Sequence, residues 1–207
     1  LWVPEVAGSN PAVPIIFLSK SSWYLIVHIQ VLMLKQDDPK KCTAAKLVKF
    51  GLAKPINQIT SRTLVLDPFS KKTLLKSDKK LISSITAIDW SWNLTITVFS
   101  KKFSGIHRKL PPLLAGNPVN YSKLNKLTTV EALAAAVYIM GDFTLASLLL
   151  DKFKWGHTFY ALNKNLLNDY CKAESASNIF EICGEYGLAG SAVADIWLIV
   201  LITTVLL

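Results

Sequence analysis

The chain has 207 residues, 51% hydrophobic and 18% charged, with a formal net charge of +9. That balance excludes a disordered or fibrous chain and allows a sizeable core. Three cysteines, Cys42, Cys171 and Cys183, make no even set and no metal spacing, so a reducing, intracellular (cytoplasmic) setting without disulfides or a bound metal is expected.

Along the chain, residues 1–22 are expected to lie outside the functional fold. Val6-Ala-Gly-Ser-Asn-Pro-Ala12 reads like the translation of a transfer-RNA gene, and the apolar stretch 13–18 is short and lacks the basic flank of a signal peptide. Residues 24–34 are β-branched and aromatic, the composition of a strand buried on both faces. After a polar loop at 35–41, Thr43 suits the cap of a helix over 44–50 that stops at Gly51. Thr63–Leu66 reads as a short strand ended by Asp67-Pro68, Ser77 opens a helix to Ser83, and 85–89 is the next strand. Strands alternating with short helices predict a mostly parallel α/β sheet with flanking helices.

From Leu110 the pattern becomes helical. The run Leu110-Pro-Pro-Leu-Leu-Ala-Gly-Asn-Pro-Val-Asn-Tyr121 reads as an apolar strand broken at Gly116, Asn117 and Pro118. A glycine there permits close backbone approach to a ligand, and the nearby amides are expected to be free for a flat heterocycle. Thr128 and Glu131 form a capping box for a helix ending at Gly141, Asp142 caps another reaching Phe153, and 158–171 is a third, amphipathic one. The expected organisation is an extension at 1–22, an α/β domain at 23–109, a helix-rich part at 110–187 that completes a site, and an apolar tail at 188–207. The wholly apolar portion of that tail falls short of the ~20 residues that span a bilayer, so no stable membrane association is expected.

Charge is unevenly spread. Between residues 35 and 126 there are 18 Lys and Arg against 5 Asp and Glu, which points to a polyanionic partner. Arg108, in His107-Arg108-Lys109, is the better phosphate fork of the two arginines. Asp89-Trp90-Ser91-Trp92 follows a strand's carboxyl end, where parallel sheets bind ligands. A carboxylate there is costly without a partner, and a Trp face can receive a cation.

Cys42-Thr43, Asp89-Trp-Ser-Trp92, the run from Leu110 with Thr128–Ala136, and Phe153-Lys-Trp-Gly-His157 together resemble the archaeal and eukaryotic small-subunit rRNA aminocarboxypropyltransferase family. The likeness covers roughly residues 29–170, in order. It implies a SPOUT-like fold with a deep trefoil knot, S-adenosylmethionine as co-substrate, and small-subunit rRNA or a pre-ribosomal particle as partner of a monomeric enzyme. The reaction implied is transfer of the 3-amino-3-carboxypropyl group to an (N1-methyl)pseudouridine, releasing methylthioadenosine. Carried onto this chain, the cofactor-binding residues are Thr43, Ile88, Leu110, Asn125 and Thr129. Asp89 would grip the α-ammonium and Trp92 would pack on the reactive arm. Lys40, Lys41, Lys101, Lys102, Arg108 and Lys109 would meet the RNA. Two departures stand out: Asn125 replaces the family's usual aromatic, and Trp90 replaces a small residue. A SPOUT-type methyltransferase and a non-catalytic ribosome-assembly factor are the rival expectations.

Overall fold

A computed structural model describes residues 27–33, 42–89 and 103–188. Trp90, Trp92, Lys40, Lys41, Lys101 and Lys102, the extension at 1–22 and the tail beyond 188 lie outside the described residues.

Five strands form one sheet: β1 (His28–Met33), β2 (Lys54–Ile56), β3 (Thr63–Leu66), β4 (Ser84–Asp89) and β5 (Ile106–Arg108). Their order is β2-β1-β4-β3-β5, and every pairing is parallel, as the alternating pattern predicted. The central strands are the buried ones. All four residues of β3 and the first four of β4 are buried, which is why these segments read as continuous rather than alternating. The hydroxyls inside that core pair across strands: Thr63 Oγ1 with Ser84 Oγ at 2.8 Å, and Thr86 Oγ1 with Gln30 Oε1 at 3.1 Å. Strand β2, with a proline at its centre, is confined to an edge, where a missing ladder donor is tolerated.

Helix α1 (Thr43–Lys49) lies against β1 and touches α2 (Thr129–Ile139), which covers β4. Helices α3 (Phe143–Leu150), α4 (Gly156–Lys172) and α5 (Ala176–Glu185) follow, with α3 and α4 packed on α2 and α5 on α4. Nine of the eleven α2 residues are buried, so this helix is the hub of the helical half rather than an amphipathic cover. One continuous apolar core runs from Val27 to Cys183.

Several local expectations are corrected. The cap of α1 is Cys42, whose sulfur accepts the Ala45 amide at 3.2 Å; Thr43 is already helical. Lys76–Leu81 is a 3-10 turn entered from Leu75, whose amide donates to Asp78 at 3.0 Å, and not an α-helix opened by Ser77. The apolar run after Leu110 forms no strand: Pro111 and Pro112 lack amides, and only an isolated antiparallel bridge joins Leu114 to Leu124. The strand is β5, just before it. Among the described residues no helix is long and apolar enough to cross a membrane.

Candidate active site at the carboxyl end of the sheet

Asp89 is the last residue of β4, the middle strand, and stands beside Met33 at the end of β1. Two helices begin there. The Cys42 thiol, at the start of α1, donates to Asp89 Oδ2 at 3.0 Å, and Thr129 Oγ1, in the first turn of α2, donates to Oδ1 at 3.1 Å. Asp89 is half-buried, and an ionised carboxylate has about four acceptor positions, so two taken by Cys42 and Thr129 leave room for a cation. Burial, followed by the bond to Asp89, pushes the Cys42 thiol from 9.0 up to about 11. It is therefore a proton donor to Asp89 at neutral pH and no nucleophile.

The second part of the site is the segment 110–125, and it is pinned from four directions. Leu113 donates its amide to Asn125 Oδ1 at 3.3 Å, and Asn125 returns its own to Leu113 O at 2.8 Å. Asn163, fully buried in α4, brackets Leu114: its Oδ1 accepts the amide and its Nδ2 donates to the carbonyl, both at 2.8 Å. Tyr170 donates to Pro112 O at 3.0 Å. Glu131, with no exposed surface, takes the amides of Gly116 at 2.7 Å and Asn117 at 3.0 Å on Oε1, and Asn117 Nδ2 at 2.9 Å on Oε2.

These bonds overturn the expectation that the amides around the turn are free. Gly116 serves packing instead: a Cβ there would collide with the backbone of Phe159 in α4. Among the described residues, the one amide of 109–117 without an acceptor is that of Leu110, which the prolines behind it isolate. Leu110 is half-buried, and a backbone N–H without an intramolecular acceptor calls for a partner.

Thr129 and Asp89 thus touch, Thr43 adjoins Cys42, and Ile88 precedes Asp89 on the strand. Leu110 and Asn125 belong to the pinned segment, which α2 ties to the first group because Thr129 reaches Asp89 while Glu131 holds the turn. Asn125 has a backbone φ of 58°, a left-handed conformation that asparagine tolerates better than most residues. Its amide is used locally, on Leu113. Arg108 does not extend a free fork. Its Nε and Nη2 donate to Asp78 at 2.8–3.0 Å and its Nη1 to His107 O at 2.9 Å, within a pair whose side chains are 14% and 6% exposed. Lys109 is half-buried beside it. The roles of Cys42, Asn163 and Tyr170, and the grip of Glu131 on the turn beyond its capping box, do not follow from local pattern; a buried Asn and Tyr on the apolar stripe of an amphipathic helix are the available signal.

A family model described as "Ribosome biogenesis protein, C-terminal" matches residues 64–187. A second, "Possible Fer4-like domain in RNase L inhibitor, RLI", matches 27–58. That stretch does not fit an iron–sulfur cluster: Cys42 is its sole cysteine, and its thiol is bonded to Asp89. Proteins named 16S rRNA aminocarboxypropyltransferase are similar over most of their length. That of Methanococcoides burtonii is 42% identical over 77% of this chain and 94% of its own. Those of Sulfurisphaera tokodaii (41%, 75% and 93%) and Thermoplasma acidophilum (44%, 72% and 93%) are alike. Among solved structures, the SAM-dependent rRNA:acp-transferase Tsr3 from Vulcanisaeta distributa superposes with a TM-score of 0.74 at 34% identity, covering 86% of this chain and 99% of that one.

Proposed function

The chain belongs to the 16S rRNA aminocarboxypropyltransferase family, and from that premise we propose that it transfers the 3-amino-3-carboxypropyl group of S-adenosylmethionine to a pseudouridine nitrogen of small-subunit rRNA. The observation that carries this reading is the Asp89 carboxylate, fixed between the starts of α1 and α2 at the carboxyl end of the central strand. A methyltransferase needs the methyl group to face its acceptor. An aminocarboxypropyltransferase needs a grip on the amino-acid arm, and a half-buried anion with open acceptor positions suits its ammonium.

S-adenosylmethionine supplies an activated methylene next to a cationic sulfur, which leaves as neutral methylthioadenosine when the base nitrogen bonds to that carbon and releases its proton. The chain's own contribution is position and electrostatics. In our reading Asp89 orients the arm, Thr43 and Thr129 present hydroxyls at the two helix starts, and the Leu110 backbone meets the cofactor, with Ile88 and Asn125 alongside. Trp92 packs on the reactive arm. Lys40, Lys41, Lys101, Lys102 and Lys109 engage the RNA, whereas Arg108 stays with Asp78. We read the enzyme as a cytoplasmic monomer, with the SPOUT-type knot and the N1-methylated acceptor that the family resemblance implies. The division at 109/110 is kept, the later part closing the site built on the earlier one.

The test uses S-adenosylmethionine labelled separately in the arm and in the methyl group, with small-subunit rRNA as acceptor. Arm label in the RNA nucleosides, read by mass spectrometry, supports the reading. Methyl label would replace it with a methyltransferase, and no label would leave a binding protein.

A further inference from the structure

We infer that Cys42 is a positioning residue for the transfer: its thiol holds one oxygen of Asp89, so that the other acceptor positions of the carboxylate face the amino-acid arm. The inference rests on the reading of Asp89 given above. Asp89 ends its strand, and an aspartate side chain has two torsions to settle. Donors from two different helices settle them, Cys42 on Oδ2 at 3.0 Å and Thr129 on Oδ1 at 3.1 Å.

A capping role alone does not account for a cysteine here. Ser, Thr, Asp and Asn are the preferred caps, and a thiol is a weak acceptor. An aspartate at this position would cap α1 better but would set a second negative charge against Asp89. The thiol does both tasks with one atom: its sulfur accepts the Ala45 amide at 3.2 Å while its proton goes to Asp89. Burial keeps that proton in place well past neutral pH.

The experiment is a binding series on the full chain, with S-adenosylmethionine and methylthioadenosine titrated against Cys42→Ala, Cys42→Ser, Asp89→Ala and Cys42→Ala/Asp89→Ala. Unfolding in urea is followed for each. Methylthioadenosine lacks the arm and should feel the helix cap but not the orientation of Asp89. Loss of a hydrogen bond to a charged group predicts about tenfold weaker S-adenosylmethionine binding for Cys42→Ala, with methylthioadenosine changed less than about twofold. Cys42→Ser, whose hydroxyl donates and accepts, should recover most of the loss. In the Asp89→Ala background Cys42→Ala should cost little more, because the two act through one contact. Equal losses for both ligands, or full additivity with Asp89→Ala, would overturn the inference. If Asp89→Ala itself fails to separate the two ligands, the reading of Asp89 falls first, and the inference with it. Cys42→Gly, which helix starts tolerate, provides a second variant without the donor should Cys42→Ala not fold.

Discussion

Glu131 accepts the backbone amides of Gly116 and Asn117 through one oxygen, at 2.7 and 3.0 Å, across 15 and 14 residues of chain. Its other oxygen takes Asn117 Nδ2 at 2.9 Å, the Thr128 amide at 2.6 Å and the Thr128 hydroxyl at 2.8 Å. Five donors satisfy a carboxylate that has no contact with water, the condition under which a buried charge is tolerated. The residue that completes the capping box of α2 therefore also fixes the turn beside the proposed cofactor cleft.

Replacing that carboxylate exposes the cost of the arrangement. Glu131→Gln presents an amide NH2 to groups that are themselves donors, and should lower stability by about 2–4 kcal/mol. Urea denaturation measures it. Binding of S-adenosylmethionine and of methylthioadenosine should fall together, because the whole cleft is loosened; a change below about 0.5 kcal/mol would show that the turn holds without Glu131.

Asp89→Ala should behave differently. It removes the proposed charge-assisted contact to the arm, costing roughly 1.5–3 kcal/mol, or tenfold and more in affinity for S-adenosylmethionine. Methylthioadenosine affinity should hardly move. Parallel losses in a calorimetric titration would mean that Asp89 merely anchors the two helices.

Arg108 and Lys109 are neighbours with opposite expected fates. Arg108→Ala leaves Asp78, buried and 6% exposed in its side chain, without its cation, and should cost about 3 kcal/mol or more in stability. Lys109→Ala should leave the melting temperature unchanged and reduce the salt slope of rRNA binding by about 1. A folded Arg108→Ala protein with only an RNA defect would restore Arg108 to the RNA face.

Gly116→Ala should destabilise by about 3 kcal/mol or more, since the added methyl has no space against the Phe159 backbone and nothing flexible to displace. Thermal melting decides it, and near-native stability would show that α4 can shift away.

The thiol of Cys42 sets a pH dependence. Its proton-bound form is favoured in the fold, so the contribution is complete below the ordinary value of 9.0 and is lost as pH rises through about 11. The stability difference between the wild-type protein and Cys42→Ser should be constant from pH 7 to 9 and drift as the wild type alone weakens toward pH 11. Urea midpoints at each pH report it; a constant difference up to pH 11 would mean that the thiol is not buried against Asp89.

What could be read from sequence was mostly what depends on neighbours in the chain. The strands expected at 63–66 and 85–89, the Thr128–Glu131 box and the Asp142 cap all follow from local pattern, and each is present, the second strand starting one residue earlier at Ser84. Strands β2 and β5 are not legible because three residues, around a proline in the one and holding His107 and Arg108 in the other, carry no periodic signal. The site was legible as a set of positions but not as a set of bonds. Gly116 and Arg108 looked available because their partners, Phe159, Glu131 and Asp78, lie 15 to 43 residues away and nothing local announces them. Cys42 was visible in its motif, but its bond to a residue 47 positions on was not.

The ties of Tyr170 to Pro112 and of Asn163 to Leu114 span 58 and 49 residues. Their consequence lies in the order in which the molecule is made. Domains emerge from the ribosome amino-terminus first, and the sheet, complete by Arg108, holds Asp89 early. The segment 110–125 has only its ties to Asn125 and Glu131 until α4 has been synthesised and docked, when Asn163 and Tyr170 take hold of Leu114 and Pro112. A nascent chain halted before residue 163 would carry the strand-end carboxylate but lack the bonds at Leu114 and Pro112, so the proposed site would be finished only once α4 has docked.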